Sequence, residues 1–176
     1  MTPDPPSSRL VVAPGTMVVL VGPSGCGKST FAARHFAPTQ VLSSDDMRAW
    51  VADDPNDQSA TEAAFELLHT ALALRLARRR TTVVDATNVE RWARGRLLAV
   101  TRRLSRPALA IVLALPLETC LTRNAARADA RPAAAIRRQH RWMMDSLGTL
   151  QDEGFQRVCV LDTEQAVAAL EVVAGP

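Results

Sequence analysis

Lysine is nearly absent from this sequence. Of its 21 Lys and Arg residues, Lys28 is a lysine and all the others are arginine. An ammonium group is a compact point charge, and the planar guanidinium fork of arginine does not reproduce its geometry. The single lysine therefore marks a position where the chemistry favours an ammonium group.

Cysteine and long apolar runs are also scarce. The three cysteines, Cys26, Cys120 and Cys159, form an odd and widely spaced set without metal-site spacing. That pattern argues against a disulfide framework and favours a reducing cytoplasm. No apolar run is long enough to span a membrane, so no membrane partner is expected. Residues 1–9 lack a hydrophobic signal segment and are predicted to form a disordered tail.

The bulk composition suits one globular unit. Residues 10–176 contain no repeat and no linker-like stretch, and their number is that of a single domain with a full core. The net charge of +3 and the pI of about 9.2 suit a phosphate-rich partner. So small a surplus of positive charge does not by itself identify such a partner.

The stretch Met17 to Thr30, MVVLVGPSGCGKST, joins an apolar strand to a glycine-rich loop. The loop fits the phosphate-binding pattern G-x-x-x-x-G-K-[ST], and an amphipathic helix follows it. We predict that Lys28 binds the β- and γ-phosphates of ATP and that Ser29 ligates Mg²⁺. The predicted nucleotide-binding residues are Gly22, Ser24, Gly25, Cys26, Gly27, Lys28, Ser29 and Thr30.

Strand and helix periodicities alternate along the rest of the chain. Predicted strands cover residues 17–21, 40–43, 81–85, 108–115 and 158–161. Predicted helices cover residues 28–36, 47–51, 59 to about 80, 87–104, 116 to about 128, 132 to about 150 and 163–173. Two of them begin at apparent capping boxes, Ser59-x-x-Glu62 and Thr87-x-x-Glu90. The order predicts an α/β fold with a parallel sheet of about five strands and helices on both faces.

Asp45 follows the second predicted strand, where ligands of parallel sheets bind. Arg48 comes three residues later and so lies on the same side of the first helical turn. We predict that Asp45 accepts the proton of an attacking hydroxyl and that Arg48 binds a phosphate of the acceptor. For the neighbouring Asp46, a helix cap is the preferred interpretation.

Asp85 ends the third predicted strand, in the stretch Val-Val-Asp-Ala-Thr-Asn88. P-loop enzymes place a carboxylate here near Mg²⁺ or its waters. The alternative is that Asp85 acts on the substrate side by orienting Arg48. Asn88 is interpreted as a residue at a helix start, and His35, His69 and His140 as structural or surface residues.

Arg123 and Arg127 are four residues apart after the fourth predicted strand, so they share one helix face. In a P-loop protein, arginines at this place form a lid that clamps the transferring phosphoryl group. We therefore predict an arginine-bearing helical lid with Arg123 and Arg127 as catalytic residues. The alternative, a merely solvated face, is the preferred interpretation for Arg137, Arg138 and Arg141.

Taken together, these motifs resemble the kinase module of bacterial polynucleotide kinase–phosphatase, the RNA end-healing enzyme. The resemblance covers nearly the whole chain after Arg9. It is carried by GPSGCGKSTFA at Gly22 to Ala32, VLSSDDMR at Val41 to Arg48, DDPNDQSATEAAFELLH at Asp53 to His69, TTVVDATN at Thr81 to Asn88, RNAARAD at Arg123 to Asp129 and DEGFQRVCVL at Asp152 to Leu161.

The resemblance implies Mg²⁺- and ATP-dependent phosphorylation of 5′-hydroxyl ends of RNA or DNA. In that family Asp45 would be the general base, and Arg48 would bind the phosphate on the 3′ side of the acceptor nucleotide. One departure is Ala130, where the family usually has a further arginine, and Arg131 follows one step later. The resemblance also implies phosphatase or ligase repair modules as partners. Neither a stand-alone kinase nor one domain of a longer protein is excluded.

Two other functions stay open at the level of sequence. One is a P-loop kinase for a small hydroxylated metabolite, such as a sugar acid, an antibiotic or a nucleotide sugar. The other is a nucleotide-binding regulator that transfers nothing. Arg48 and the basic charge favour a polynucleotide acceptor, whereas the sequence shows no row of base-stacking aromatics. Trp50 is the nearest candidate for stacking.

Overall fold

The computed structural model describes residues 9–176, which form two sheets and seven α-helices. The strands are β1 (Arg9–Val12), β2 (Met17–Val21), β3 (Val41–Ser43), β4 (Thr82–Asp85), β5 (Ala108–Leu113), β6 (Arg157–Leu161) and β7 (Glu171–Ala174). The helices are α1 (Lys28–His35), α2 (Ser44–Ala52), α3 (Thr61–Ala77), α4 (Arg91–Leu104), α5 (Leu117–Ala125), α6 (Ala133–Ser146) and α7 (Glu164–Ala169). Short 3₁₀ turns cover Pro38–Gln40, Gln58–Ala60 and Leu150–Glu153.

The main sheet has five parallel strands in the order β3-β4-β2-β5-β6. Each strand is linked to the next by at least one helix, because parallel strands need a crossover connection. The predicted α/β class and the parallel sheet of about five strands are confirmed. The apolar strand β5 lies inside the sheet, as its composition predicts.

Alternate residues of the inner strands supply the two cores on either side of the sheet. Met17, Val19 and Val21 pack with the leucines of α3 and α4 on one face. Val18 and Leu20 pack with α1 and with apolar residues of α5 and α6 on the other. Side chains of a strand point alternately to opposite faces, so a strand covered on both sides is apolar throughout. This arrangement explains why helices flank both faces.

A second, two-stranded parallel sheet pairs β1 with β7, from Arg9 opposite Glu171 to Val12 opposite Ala174. The predicted last helix over 163–173 is therefore wrong in its second half, since α7 ends at Ala169 and β7 follows. The predicted tail of residues 1–9 lies outside the described residues except for Arg9. That residue is the first of β1.

Both predicted capping boxes are wrong. Helix α3 begins at Thr61 after a 3₁₀ turn whose cap is Asp57, and the Ser59 hydroxyl donates to the Asp57 carboxylate at 2.6 Å. Helix α4 begins at Arg91 without a side-chain cap. In the loop before α4, Asn88 is buried with φ of 48°.

Asn88 serves a different purpose from the predicted helix start. Its side-chain amide donates to the carbonyl of Leu20 at 2.8 Å, to that of Ala86 at 3.2 Å and to that of Val84 at 3.4 Å. These bonds tie the carboxyl ends of β2 and β4 together. In the register of the sheet, Asp85 lies opposite both Leu20 of β2 and Ser43 of β3. The residues that follow these three strands therefore meet at one edge.

Candidate active site

The glycine-rich loop between β2 and α1 needs its glycines for geometric reasons. Gly25 and Gly27 have φ of +83° and +97°, values that residues with side chains rarely adopt. A Cβ atom at Gly25 would lie 2.2 Å from the backbone carbonyl oxygen of Cys120 in α5. The loop is thus pressed against α5, and only glycine fits there.

The amino end of α1 is open toward this loop. The helix begins at Lys28, its cap residue Gly27 offers no side-chain hydrogen bond, and its first turn contains no acidic residue. The amino end of a helix carries partial positive charge and unpaired N–H groups. This end of α1 therefore suits the phosphate groups of a nucleotide.

Lys28 lies within the loop, with 8% of its surface exposed. Its Nζ donates to the carbonyls of Gly22 and Pro23, both at 2.9 Å, and lies 3.7 Å from the Sγ of Cys26. These contacts hold the ammonium group at the mouth of the loop. Lys28 thus lies beside the backbone of the glycine-rich loop, and its role in binding phosphate stays a prediction.

Asp85 lies on the nucleotide side of the edge, at the end of β4. It is buried, and the Ser29 hydroxyl is close enough to affect the pKa of its carboxyl. Burial raises the pKa of Asp85, while the Ser29 hydroxyl and the charge of Lys28 act in the opposite direction. A hydroxyl and a carboxylate next to bound phosphates match the oxygen ligands that Mg²⁺ prefers. Ser29 and Asp85 therefore fit a Mg²⁺–nucleotide complex, which favours the first of the two roles considered for Asp85.

The raised pKa of Asp85 makes a prediction about stability. Folding favours the protonated form of Asp85. The contribution of this residue to the free energy of unfolding is therefore complete below the unfolded-state pKa of 3.8, and it is lost as pH rises through the folded-state pKa. We expect Asp85→Asn, without nucleotide, to melt at a higher temperature than wild type at about pH 7, with the gap closing toward about pH 4. Thermal melts followed by circular dichroism across that range would measure the gap.

The exposed residue Asp162 provides the control, because Asp162→Asn removes a carboxylate that is not buried. The explanation would be wrong if both variants shifted the melting temperature equally, or if the gap for Asp85→Asn were the same at both pH values.

Asp45 lies in the first turn of α2, at the same edge as the phosphate-binding loop. The Ser43 hydroxyl caps this helix by accepting from the backbone N–H groups of Asp45 and Asp46 at 3.2 and 3.3 Å. The Asp45 carboxylate forms an ion pair with Arg48. A second guanidinium, that of Arg131, lies 3.6 Å from the same carboxylate oxygen. Asp46 lies within the first turn, so the predicted cap role belongs to Ser43.

Arg48 is buried although it is charged. Its Nε donates to the carbonyl of Pro55 at 2.9 Å, which ties α2 to the acidic loop after it. Its Nη2 donates to the Asp45 carboxylate. Asp45 and Arg48 are therefore brought together as their spacing predicts.

Both arginines of the predicted lid line the same cleft as the glycine-rich loop. Arg123 bonds to Glu164 at 2.7 Å, and one of its nitrogens lies 3.5 Å from where a Cβ of Gly27 would be. Arg127 forms two hydrogen bonds with Asp129, at 2.9 and 2.8 Å. The pKa of Arg127 is raised, first by those bonds and further by the charges of Asp45 and Asp85. Arg127 thus lies within electrostatic range of both site carboxylates.

Arg131 joins this group because its backbone is held by Asn124. The Asn124 side chain accepts from the N–H of Arg131 and donates to its carbonyl, both at 2.9 Å. A further contact comes from α6, where the Gln139 Oε1 accepts from the backbone N–H of Ser24 at 2.9 Å. Sequence reasoning did not identify Asn124, Gln139 or Glu164, since no local spacing links them to the residues they hold.

These residues line one cleft of about 1610 Å³ that runs along the carboxyl edge of the sheet. One end is formed by the glycine-rich loop, α6 and α7, and the other by α3 and α4. Asp45, Arg48, Asp85, Arg123, Arg127 and Arg131 all belong to its lining. Trp50, the stacking candidate considered from sequence, is exposed and is not among the lining residues.

Comparison with known families places this cleft in context. Residues 17–150 match the family model described as the AAA domain. The matched span contains the glycine-rich loop, Asp45, Asp85 and the lid arginines. The chain belongs to the AAA domain family.

This AAA domain is also similar to curated and solved proteins. It is 50% identical over 55 residues to the sn-glycerol-3-phosphate import ATP-binding protein UgpC 1 of Rhizobium etli, a match that covers 29% of this chain and 16% of that protein. In fold it is similar to a chain in the structure of the Pnkp1/Rnl/Hen1 RNA repair complex, with a TM-score of 0.66, 22% identity and coverage of 77% of this chain and 46% of that one.

A gluconokinase from Sinorhizobium meliloti 1021 is a further structural relative, with a TM-score of 0.55 and 18% identity over 90% of this chain and 89% of that one. At these identities the likeness establishes the fold, which is that of P-loop kinases. The AAA domain thus shares its fold with a chain of an RNA repair complex and with a gluconokinase. Among residues 9–176, no helix is both long and apolar enough to cross a membrane.

Proposed function

We propose that this AAA domain transfers the γ-phosphate of ATP to the 5′-hydroxyl ends of RNA or DNA in a Mg²⁺-dependent reaction. The observation that carries the proposal is the Asp45 carboxylate beside Arg48 and Arg131, at the sheet edge that also bears the nucleotide loop. A carboxylate between two guanidinium groups supplies a base for a hydroxyl and forks for the phosphates next to it. A hydroxylated acceptor that also bears phosphate fits this set.

In this proposal Asp45 accepts the proton of the 5′-hydroxyl group while the oxygen of that hydroxyl forms a bond to the γ-phosphorus. The bond from that phosphorus to the β–γ bridging oxygen breaks, and ADP leaves with the electron pair. Arg48 keeps its bond to Pro55 and exchanges its contact with Asp45 for one with the acceptor phosphate. That exchange frees the carboxylate for the hydroxyl only when an acceptor is bound.

The other residues act on the donor. Lys28, Arg123 and Arg127 would neutralise the charge that develops on the transferring group, which is the largest contribution that a protein makes to this kind of reaction. Ser29 and Asp85 would hold Mg²⁺, which when bound shields the β- and γ-phosphates. Gly25 and Gly27 adopt conformations that residues with side chains rarely take, and their backbone N–H groups would bind phosphate oxygens.

The size of the cleft also supports a large acceptor. Pockets for small ligands usually measure about 300–1,000 Å³, and this cleft has about 1610 Å³. A cleft larger than this range suits two ligands better than one. The proposal includes a cytoplasmic location. By likeness to the RNA repair complex, it also includes repair modules as partners.

A kinase for a small hydroxylated metabolite is the second candidate, and the fold shared with a gluconokinase supports it. One assay separates the two. The protein is incubated with γ-labelled ATP and Mg²⁺, and with either 5′-hydroxyl oligonucleotides or a panel of sugar acids and nucleotide sugars. Label on the oligonucleotide supports the proposal. Label on a metabolite alone overturns it, and binding of ATP without any product supports the regulator.

Arg48→Ala is expected to raise the KM for acceptors with a phosphate on the 3′ side of the terminal nucleotide by about tenfold or more, the worth of one charge-assisted contact. The KM for ATP should stay the same, because Arg48 lies at the acceptor side. Steady-state kinetics with a 5′-hydroxyl dinucleotide and with the matching 3′-hydroxyl nucleoside would measure both values.

Arg137→Ala is the matched control, since Arg137 is exposed on α6 and is not among the residues lining the cleft. A rise in the KM for ATP rather than for the acceptor would show that Arg48 belongs to the donor side instead.

A further inference from the structure

An exposed tryptophan lies in the wall of the cleft that holds Asp45. Trp92 is in the first turn of α4, just after the loop that leaves β4, and 62% of its surface is exposed. A large aromatic side chain left open in a ligand cleft is costly unless it meets a partner, and tryptophan offers the widest face for stacking. The proposed reaction, as described so far, does not use this residue.

The direction in which Trp92 points follows from the orientation of α4, which the buried Arg94 indicates. Arg94 is fully buried, with its Nε and Nη2 bonded to the Glu153 carboxylate at 2.8 and 2.6 Å and its Nη1 to the carbonyl of Asn88 at 2.9 Å. Residues two positions apart in an α-helix are separated by about 200° around its axis. Trp92 and Arg96, each two positions from Arg94, therefore point away from the core and share the face that borders the cleft. The buried ion pair holds this face in place.

Arg96 differs from the other arginines near the reaction centre. Arg48, Arg123, Arg127 and Arg131 each lie within ion-pair distance of a carboxylate. Among residues 9–176, no carboxylate lies within that distance of Arg96, which is exposed and lines the cleft. Phe65 and His69 of the adjacent helix α3 line the same end. The pKa of His69 is lowered by burial and next by the charge of Arg96, so this end presents an apolar wall and an unpaired cation.

We propose that Trp92 and Arg96 form the acceptor subsite, in which a nucleobase of a single-stranded 5′ end stacks on the Trp92 indole while Arg96 binds a backbone phosphate. This inference rests on the proposed polynucleotide kinase activity and assigns the residues that hold its acceptor. A flat aromatic face accepts any base, so the subsite predicts acceptance of different terminal bases. Arg48 and Arg96 then serve successive phosphates of the same strand.

The first test compares substitutions of Trp92 and Trp50, the two most exposed of the three tryptophans. Trp92→Ala is expected to raise the KM for a 5′-hydroxyl oligonucleotide by about tenfold, within the range measured for base–aromatic stacking, with kcat and the KM for ATP unchanged. Trp92→Phe should recover most of that loss because it keeps an aromatic face. Trp50→Ala is the matched control, since Trp50 is 75% exposed but is not among the residues lining the cleft.

The second test uses the substrate in place of the protein. An oligonucleotide with an abasic site at its first or second position should lose affinity for wild type by the same factor as Trp92→Ala loses for the intact strand. The abasic site and Trp92→Ala combined should lower the affinity no more than either change alone, because both remove the same contact. Arg96→Ala should lower the dependence of the KM on salt by the equivalent of about one phosphate.

The outcomes distinguish a failure of the proposed subsite from a failure of the proposed kinase activity. If wild type phosphorylates the oligonucleotide but Trp92→Ala and Trp50→Ala behave alike, or if the abasic and Trp92 losses add, the subsite is wrong and the kinase activity stands. If wild type labels a metabolite and no oligonucleotide, the proposed function fails and the subsite fails with it.

Discussion

Asp45→Asn should lose about 10²- to 10⁴-fold in kcat, the usual contribution of a positioned general base. The amide keeps the size of the carboxylate and can still accept hydrogen bonds from Arg48, but it cannot take the proton of the acceptor hydroxyl. Binding of ATP should be unchanged, because the proposed donor-binding residues Lys28, Ser29 and Asp85 are left intact. Single-turnover transfer of labelled phosphate, with nucleotide binding measured separately, would separate the two effects.

Asp46→Asn is the matched control for this experiment. Asp46 occupies the same helical turn, carries the same charge and is exposed, but it does not line the cleft. A loss of similar size in both variants would mean that the charge of the turn matters, and not a base at Asp45. A kcat for Asp45→Asn close to that of wild type would remove Asp45 from the chemistry altogether.

Lys28→Ala should lower kcat by about 10²- to 10³-fold, the typical effect of removing one preorganised donor that stabilises the transition state. Lys28→Arg should fail as well, although it keeps the positive charge. The carbonyls of Gly22 and Pro23 lie 2.9 Å from the ammonium, and a planar fork in this enclosed space cannot bond to both and also face the phosphates. Transfer kinetics and the KM for ATP would measure the loss in each variant.

The exchange of lysine and arginine needs its own control. Arg137→Lys makes the reverse exchange at an exposed position of α6 and should leave the rate unchanged. If Lys28→Arg transferred phosphate at a rate near that of wild type, a compact ammonium would not be needed here. The explanation for the single lysine would then be wrong.

The parts of the fold that were predicted are those with strong local patterns. The strand Met17–Val21 and the apolar strand β5 each form a continuous apolar run because both of their faces are buried. The glycine-rich loop imposes its own geometry through Gly25 and Gly27. Asp45 and Arg48 share one helical turn, so their spacing was enough to bring them together.

The parts that were missed depend on distant residues. Strand β7 is only four residues long and follows a helix-forming stretch, and it becomes a strand because β1 lies beside it. Ser59 and Thr87 match a capping pattern, but Asp57 caps a 3₁₀ turn before α3, and the buried Asn88 bonds to the carbonyl of Leu20 in the loop before α4. Arg131 reaches Asp45 because Asn124 holds its backbone, a contact between residues whose pairing no periodicity shows.

Trp92 and Arg96 were missed for another reason. Their spacing of four residues does place them on one helix face, but the same face could equally have been solvated. The burial of Arg94 against Glu153, together with that of Leu97 and Leu98, shows which way α4 is turned.

The enclosed position of Lys28 makes the protein suitable for chemical footprinting. The sequence contains one side-chain amine, so an acylating reagent directed at lysine has one side-chain target, which lies at the mouth of the glycine-rich loop. Mass spectrometry of a single peptide would then report how far different nucleotides shield that amine, without any transfer of phosphate. Donor preference becomes measurable before the acceptor is known.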